Sequence, residues 1–178
     1  MSLPSDKKSI GIITLHQSTN YGAVLQAFAL EFFLQKRNFN AEIIDYVEFD
    51  KETRSQSFFQ KIRHNLWHNV IYPLLAGRKR LDRTNRWIRE KIKLSPHHYS
   101  RREEIATNPP HYDIYITGSD QVWNPFNTNN DATYFLAFAP KTAKRLSYAA
   151  SFGLEAIPPP RNTIRNTMIG FVITTKSP

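Results

Sequence analysis

Tyr112-Asp113-Ile114-Tyr115-Ile116-Thr117-Gly118-Ser119-Asp120-Gln121-Val122-Trp123-Asn124 is an apolar and aromatic run that turns polar within a few residues. Tyr112, Ile114, Tyr115 and Ile116 supply the run and Gly118 stops it, the pattern of a buried strand entering a polar loop. In open α/β sheets ligands sit beyond the carboxyl ends of the strands. Ser119, Asp120, Gln121, Trp123 and Asn124 therefore form a candidate site. Gly, Ser, Asp and Asn are also ordinary turn residues, so a plain turn with Trp123 packed beneath it is the competing reading.

Upstream, residues 8–15 carry Ile10, Ile12, Ile13 and Leu15, a nearly continuous apolar run suited to a central parallel strand. The loop from His16 to Gly22 follows. Residues 23–36 place Val24, Leu25, Phe28, Leu30, Phe32, Phe33 and Leu34 at helical spacing, and a helix this apolar is expected to be buried on more than one side. Asn38 is a plausible stop, and residues 41–46 read as a second strand, completing a βαβ unit of Rossmann kind. The crossover turn Asn20-Tyr21-Gly22 holds a single glycine, so neither the Gly-x-Gly-x-x-Gly dinucleotide fingerprint nor a phosphate-binding P-loop is present. On these residues alone it reads as an ordinary strand-to-helix connection or as an anion cradle at a helix start.

From Ser55 the pattern changes. Phe58, Ile62, Leu66 and Val70 recur every four residues in a stripe that ends before Pro73, and a second helix is expected over residues 79–91. His97 and His98 fall in an expected loop and lack carboxylate or cysteine neighbours at metal-ligand spacing, so they receive no role. Beyond Asn124, residues 127–131 read as a surface turn, residues 134–138 are aromatic and apolar, and residues 145–149 read as a strand entering Ser151-Phe152-Gly153. In a parallel sheet the three polar loops 16–22, 119–124 and 151–153 meet on one rim.

The chain has 178 residues, 40% of them hydrophobic, which suits one α/β domain with a mostly parallel Rossmann-like sheet. No run of 18 apolar residues is available to span a bilayer. The absence of cysteine excludes disulfides, thiolate catalysis and Cys-ligated zinc, and agrees with a cytoplasmic setting. The stretch after Lys8 is broken by His16 and Gln17, so no secretory signal is expected. The formal charge of +9 is not evenly spread. Residues 51–102 hold 14 basic and 3 acidic residues, leaving 10 basic and 12 acidic elsewhere. The charge belongs to one basic helical excursion, read either as a solvated face or as a peripheral contact with an anionic membrane.

Three motifs in order, Asn20-Tyr21-Gly22-Ala23-Val24-Leu25-Gln26, the 118–124 segment and Ser147-Tyr148-Ala149-Ala150-Ser151-Phe152-Gly153, resemble the polysaccharide pyruvyl transferase family. The resemblance spans about residues 10–159 and corresponds to the N-terminal half of a family member. It implies one lobe, residues 1–160, of a two-lobed architecture similar to GT-B glycosyltransferases. The implied reaction transfers pyruvate from phosphoenolpyruvate to hydroxyls of a glycan or lipid-linked saccharide as a ketal. No cofactor, metal or nucleic-acid partner is expected. By matching position Asp120 is the implied catalytic residue, with Asn20, Tyr21, Gly22, Ser119, Gln121, Trp123, Asn124 and Ser151 binding substrate. Many members carry Asn-x-Gly-Asp at the first loop, where this chain has Ala23. The segment 161–178 reads as a truncated or atypical tail with no second lobe following, which leads us to expect an acceptor-side lobe that is inactive alone. Its apolar residues Met168, Ile169, Phe171, Val172 and Ile173 make a homodimer an expectation. A nucleotide-sugar glycosyltransferase lobe and a non-enzymatic glycan-binding or membrane-docking module are the alternatives.

Overall fold

A computed structural model describes residues 7–18, 20–47 and 72–155, with side chains from residue 82 onward in the last stretch. The stripe Phe58, Ile62, Leu66 and Val70 and the tail 161–178 lie outside the described residues. Five parallel strands form one sheet: β1 (Ser9–Ile13), β2 (Asn40–Tyr46), β3 (Leu94–Tyr99), β4 (Ile114–Asp120) and β5 (Lys144–Ala150), in the order β3-β2-β1-β4-β5. The expected α/β, Rossmann-like parallel sheet is present.

Helix α1 (Tyr21–Lys36) crosses from β1 to β2, and α2 (Tyr72–Lys91) precedes β3. Their inner sides close one face of the sheet, where Val24, Ala27 and Leu30 meet Ile10, Ile12, Ile43, Ile88 and Ile116. The opposite face packs Ile13, Ile44, Tyr46 and Tyr115 against Ile105 of the short helix α3 (Arg102–Thr107) and against Tyr134, Leu136 and Phe138. Period-two alternation along β1 accounts for this division: Ile10 and Ile12 point to one layer, Ile13 to the other. Gly11 sits between them because the Tyr112 ring lies over it, where an added Cβ would come within 2.3 Å of that ring. Register at the start of the β1–β4 pair is held by Asp113, whose carboxylate accepts from both the backbone N–H and the hydroxyl of Ser9 at 2.7 Å.

Several local expectations are corrected. The strand does not stop at Gly118 but continues to Asp120, because Gly118 adopts φ 109 and still pairs with Tyr148 of β5. His97 and His98 are not in a loop; they belong to β3, which among the described residues is an edge strand bonded to β2, where Pro96 can be tolerated. Pro73 sits in the first turn of α2, which begins earlier than residue 79, at a position where a missing N–H costs nothing. Residues 127–131 are not a simple surface turn. They contain the end of helix α4 (Pro125–Thr128) and Asp131, which is buried and caps a 3₁₀ turn over Ala132–Phe135. Helix α1 is buried on one side only: Leu25, Phe32 and Phe33 are about half exposed. Asn38 does end it, in the left-handed conformation (φ 69) that asparagine tolerates.

Candidate functional site

The strand order reverses between β1 and β4, which makes their carboxyl ends the topological switch point of the sheet. Thr14 follows β1 and Ser119 and Asp120 end β4, so these groups meet across the pair. The Thr14 hydroxyl donates to the Ser119 carbonyl (2.9 Å), and the Ser119 hydroxyl donates to Gln26 Oε1 (2.8 Å). Gln26 Nε2 in turn donates to Thr14 Oγ1 and to the Ala23 carbonyl. Helix α1 is thereby tied to both central strands through one side chain.

Asn20 lies at the rim as the N-cap of α1, its Oδ1 accepting from the Gly22 N–H at 2.9 Å. Tyr21 is 43% exposed in the first turn, and Gly22 is exposed beside it. Ala23 is buried. Asp120 is half-buried with φ 92, and its Oδ1 accepts from the Gln121 N–H at 2.7 Å. A non-glycine residue held in that region costs about 1–3 kcal/mol and is commonest at functional sites. The third loop joins through the backbone: Ser151 N–H donates to the Asp120 carbonyl, and Trp123 N–H to the Ser151 carbonyl. A Cβ on Gly153 (φ 61) would come within 2.2 Å of Gln121 Cδ, so that side chain would have to move. Residues 14–18 and 20–22 thus share one rim with segments 119–124 and 151–153.

Two of the named residues have structural work there. Asn124 is buried; its Oδ1 accepts from the Phe126 N–H to cap α4, and its Nδ2 donates to Gln121 Oε1 at 3.3 Å. Trp123 is stacked on Phe135 (centroids 5.5 Å apart, 6° between planes), has Phe152 at 5.7 Å, and donates its indole N–H to the Tyr134 carbonyl.

Next to this cluster, on the β1–β2 side, a cleft of about 290 Å³ opens between His16, Gln17, Tyr46, Phe126, Asn127 and Tyr134. A second, shallower hollow is lined by Trp123, Ser151, Phe152, Gly153 and Glu155. Among the described residues, neither lining contains a lysine or arginine, and neither includes Asp120 or Asn20.

Sequence reasoning missed a group at this rim. Fully buried His16 places Nε2 3.1 Å from Asp45 Oδ1, while His98 Nδ1 is 3.0 Å from Asp45 Oδ2 and Gln17 donates to the same carboxylate. Burial pushes the Asp45 carboxyl up, but the hydrogen bonds from His16 and His98 outweigh it and hold it below the ordinary aspartate range. The three residues come from the ends of three neighbouring strands. The order β3-β2-β1 would have disclosed them, whereas their spacing in sequence does not. Among the described residues no group of three or more His, Cys, Asp or Glu side chains is arranged to hold a metal ion.

With this geometry in hand, the comparisons with known proteins are direct. The family model described as "Polysaccharide pyruvyl transferase" matches residues 20–168, which contain Asn20, Asp120 and Ser151 alike. Neither the curated proteins nor the solved structures returned a match.

Proposed function

The chain belongs to the polysaccharide pyruvyl transferase family, and on that footing we propose that its sheet rim holds the glycan acceptor while phosphoenolpyruvate supplies the pyruvyl group. One acceptor hydroxyl adds to the enol carbon of the donor as the methylene carbon takes up a proton and becomes a methyl group. The second hydroxyl then displaces phosphate from the same carbon and passes its proton to the leaving group, giving a ketal and inorganic phosphate. A base is needed at the hydroxyls, and cations at the donor's phosphate and carboxylate.

The observation that carries this reading is the position of Asp120 at the switch point, held at φ 92 between the loops after β1 and β5. Asp120 is the proposed base, with Asn20, Tyr21, Gly22, Ser119, Gln121 and Ser151 placing the sugar and Trp123 and Phe152 offering aromatic surface. Asn124 acts one step removed, through the α4 cap and Gln121. The described residues of the rim linings carry amides, hydroxyls and rings together with the Glu155 carboxylate, groups that can hydrogen-bond and stack on a sugar. Such groups suit the acceptor side of a two-lobed cleft.

Asp120→Asn in the complete enzyme should lower acceptor-dependent phosphate release from phosphoenolpyruvate about 100-fold, the scale of a positioned acid or base. Near-normal turnover would reduce Asp120 to a strand-end residue. Glycan-dependent release of a nucleoside diphosphate from a nucleotide sugar, with no phosphoenolpyruvate chemistry, would favour the glycosyltransferase reading instead.

A further inference from the structure

Helix α1 carries two apolar stripes. The inner one, with Ala23, Val24, Ala27 and Leu30, packs on the sheet. The outer one runs through Leu25, Ala29, Phe32 and Phe33, at i, i+4, i+7 and i+8, which places all four on one helical face. Leu25, Phe32 and Phe33 are 54%, 46% and 52% exposed. Scattered exposed apolar residues need no explanation, but several in register along one helix form a patch that marks a contact surface. The patch extends at the helix start to Tyr21 and to a groove of about 300 Å³ that Tyr21 and Leu25 share with Arg83 and Trp87 of α2.

Its border is cationic. Lys36 Nζ sits 5.3 Å from the centroid of the Phe32 ring, and the Arg37 guanidinium 4.9 Å from that of Phe33, so two positive charges ride directly over the exposed rings. Helix α2 adds exposed Arg83, Arg86 and Arg89 against Asp82 and Glu90.

We propose that the outer face of α1, with the adjoining edge of α2, docks on an anionic lipid bilayer. Leu25, Phe32 and Phe33 enter the boundary between headgroups and acyl chains, and Lys36, Arg37 and Arg83 meet the lipid phosphates. Helices that lie in this interface combine an apolar stripe with flanking lysine and arginine in the same way. Charge decides the occupant. A second copy packed across a two-fold axis would set these cations against the same cations, since a two-fold interface brings one patch onto itself. An anionic surface neutralises them. Such docking needs no spanning segment, and no helix among the described residues is long and apolar enough to cross a membrane. The inference does not depend on the transferase reading, so a failed phosphoenolpyruvate assay leaves it standing.

Co-sedimentation with vesicles of phosphatidylcholine containing phosphatidylglycerol, set against pure phosphatidylcholine, tests it. The chain should bind the anionic vesicles only, and less so as salt rises. The double variant Phe32→Asn/Phe33→Asn should bind about tenfold or more weakly. Lys36→Gln/Arg37→Gln, which leaves the apolar stripe in place, should weaken binding and flatten its salt dependence. Absence of binding to anionic vesicles, undiminished binding by both double variants, or a concentration-dependent dimer that Phe32→Asn/Phe33→Asn abolishes would each overturn the proposal.

Discussion

Gln26 is the side chain that ties the start of α1 to the ends of β1 and β4, bonding Thr14, Ala23 and Ser119 from a single position on the helix. Replacing it with leucine keeps its bulk but leaves the buried Thr14 hydroxyl and the half-buried Ser119 hydroxyl without that amide. Gln26→Leu should therefore cost about 1–3 kcal/mol of stability, measured by urea unfolding, and lower turnover with it. Nothing in the sequence marks Gln26 apart from its place in the first motif, because a lone amide on a helix is usually solvated. Asn124, expected as a substrate contact, carried a signal for a different role. An asparagine directly before proline, with Pro125 at the first helical position, is an N-cap signature, and its side chain does cap α4. Asp120 could be placed at a strand end from its apolar approach. Its left-handed φ could not, since that follows from the strand continuing through Gly118 into pairing with β5.

At the scale of elements, α1 and the turn before β3 are joined by a buried carboxylate. Glu31 is 2% exposed; it accepts from the Lys93 backbone N–H at 3.1 Å and from Gln35 Nε2 at 2.6 Å. Burial pushes its carboxyl up to about 7, against the lowering effect of Lys93 and Gln35. The folded chain therefore keeps a proton that the unfolded chain releases near 4.5, so this contribution to stability is complete below 4.5 and is lost as pH rises towards 7. Urea midpoints should fall by an amount equivalent to about 1–3 kcal/mol between pH 5 and pH 8, and Glu31→Gln should remove that decline. A variant whose midpoint falls as steeply as that of the parent would assign the effect to another group. Strand β3 is the element that sequence reading handled least well. Leu94-Ser95-Pro96-His97-His98-Tyr99 shows neither alternation nor an apolar run, and it becomes a strand because β2 offers an open edge for it to pair with. Helix α1 was legible in position and extent, but its outer stripe could not be distinguished from a second buried one until the sheet was seen to cover one side only.

For the whole molecule, the two layers flanking the sheet are joined to it by contacts between residues far apart in sequence. Tyr46, at the end of β2, donates its hydroxyl to Asp131, which lies 85 residues further on and also accepts from the Thr133 N–H at 2.9 Å. Asp131→Ala removes an acceptor from a buried tyrosine and the cap from the 3₁₀ turn beneath Trp123. A loss of roughly 2–4 kcal/mol is expected, read from the denaturation midpoint, with Asp131→Asn recovering part of it. The sequence by itself determined the fold class, the βαβ start, most strand positions and the presence of three polar loops after apolar runs, because these depend on local periodicity and composition. It also carried the three motifs that point to the family. Only the tertiary structure decided that β3, β2 and β1 bring His98, Asp45 and His16 together, that Ser119 is engaged by Gln26, and that one side of α1 stays open. Strand order and facing layers are set by packing between distant segments, and no window of sequence contains both partners of such a contact.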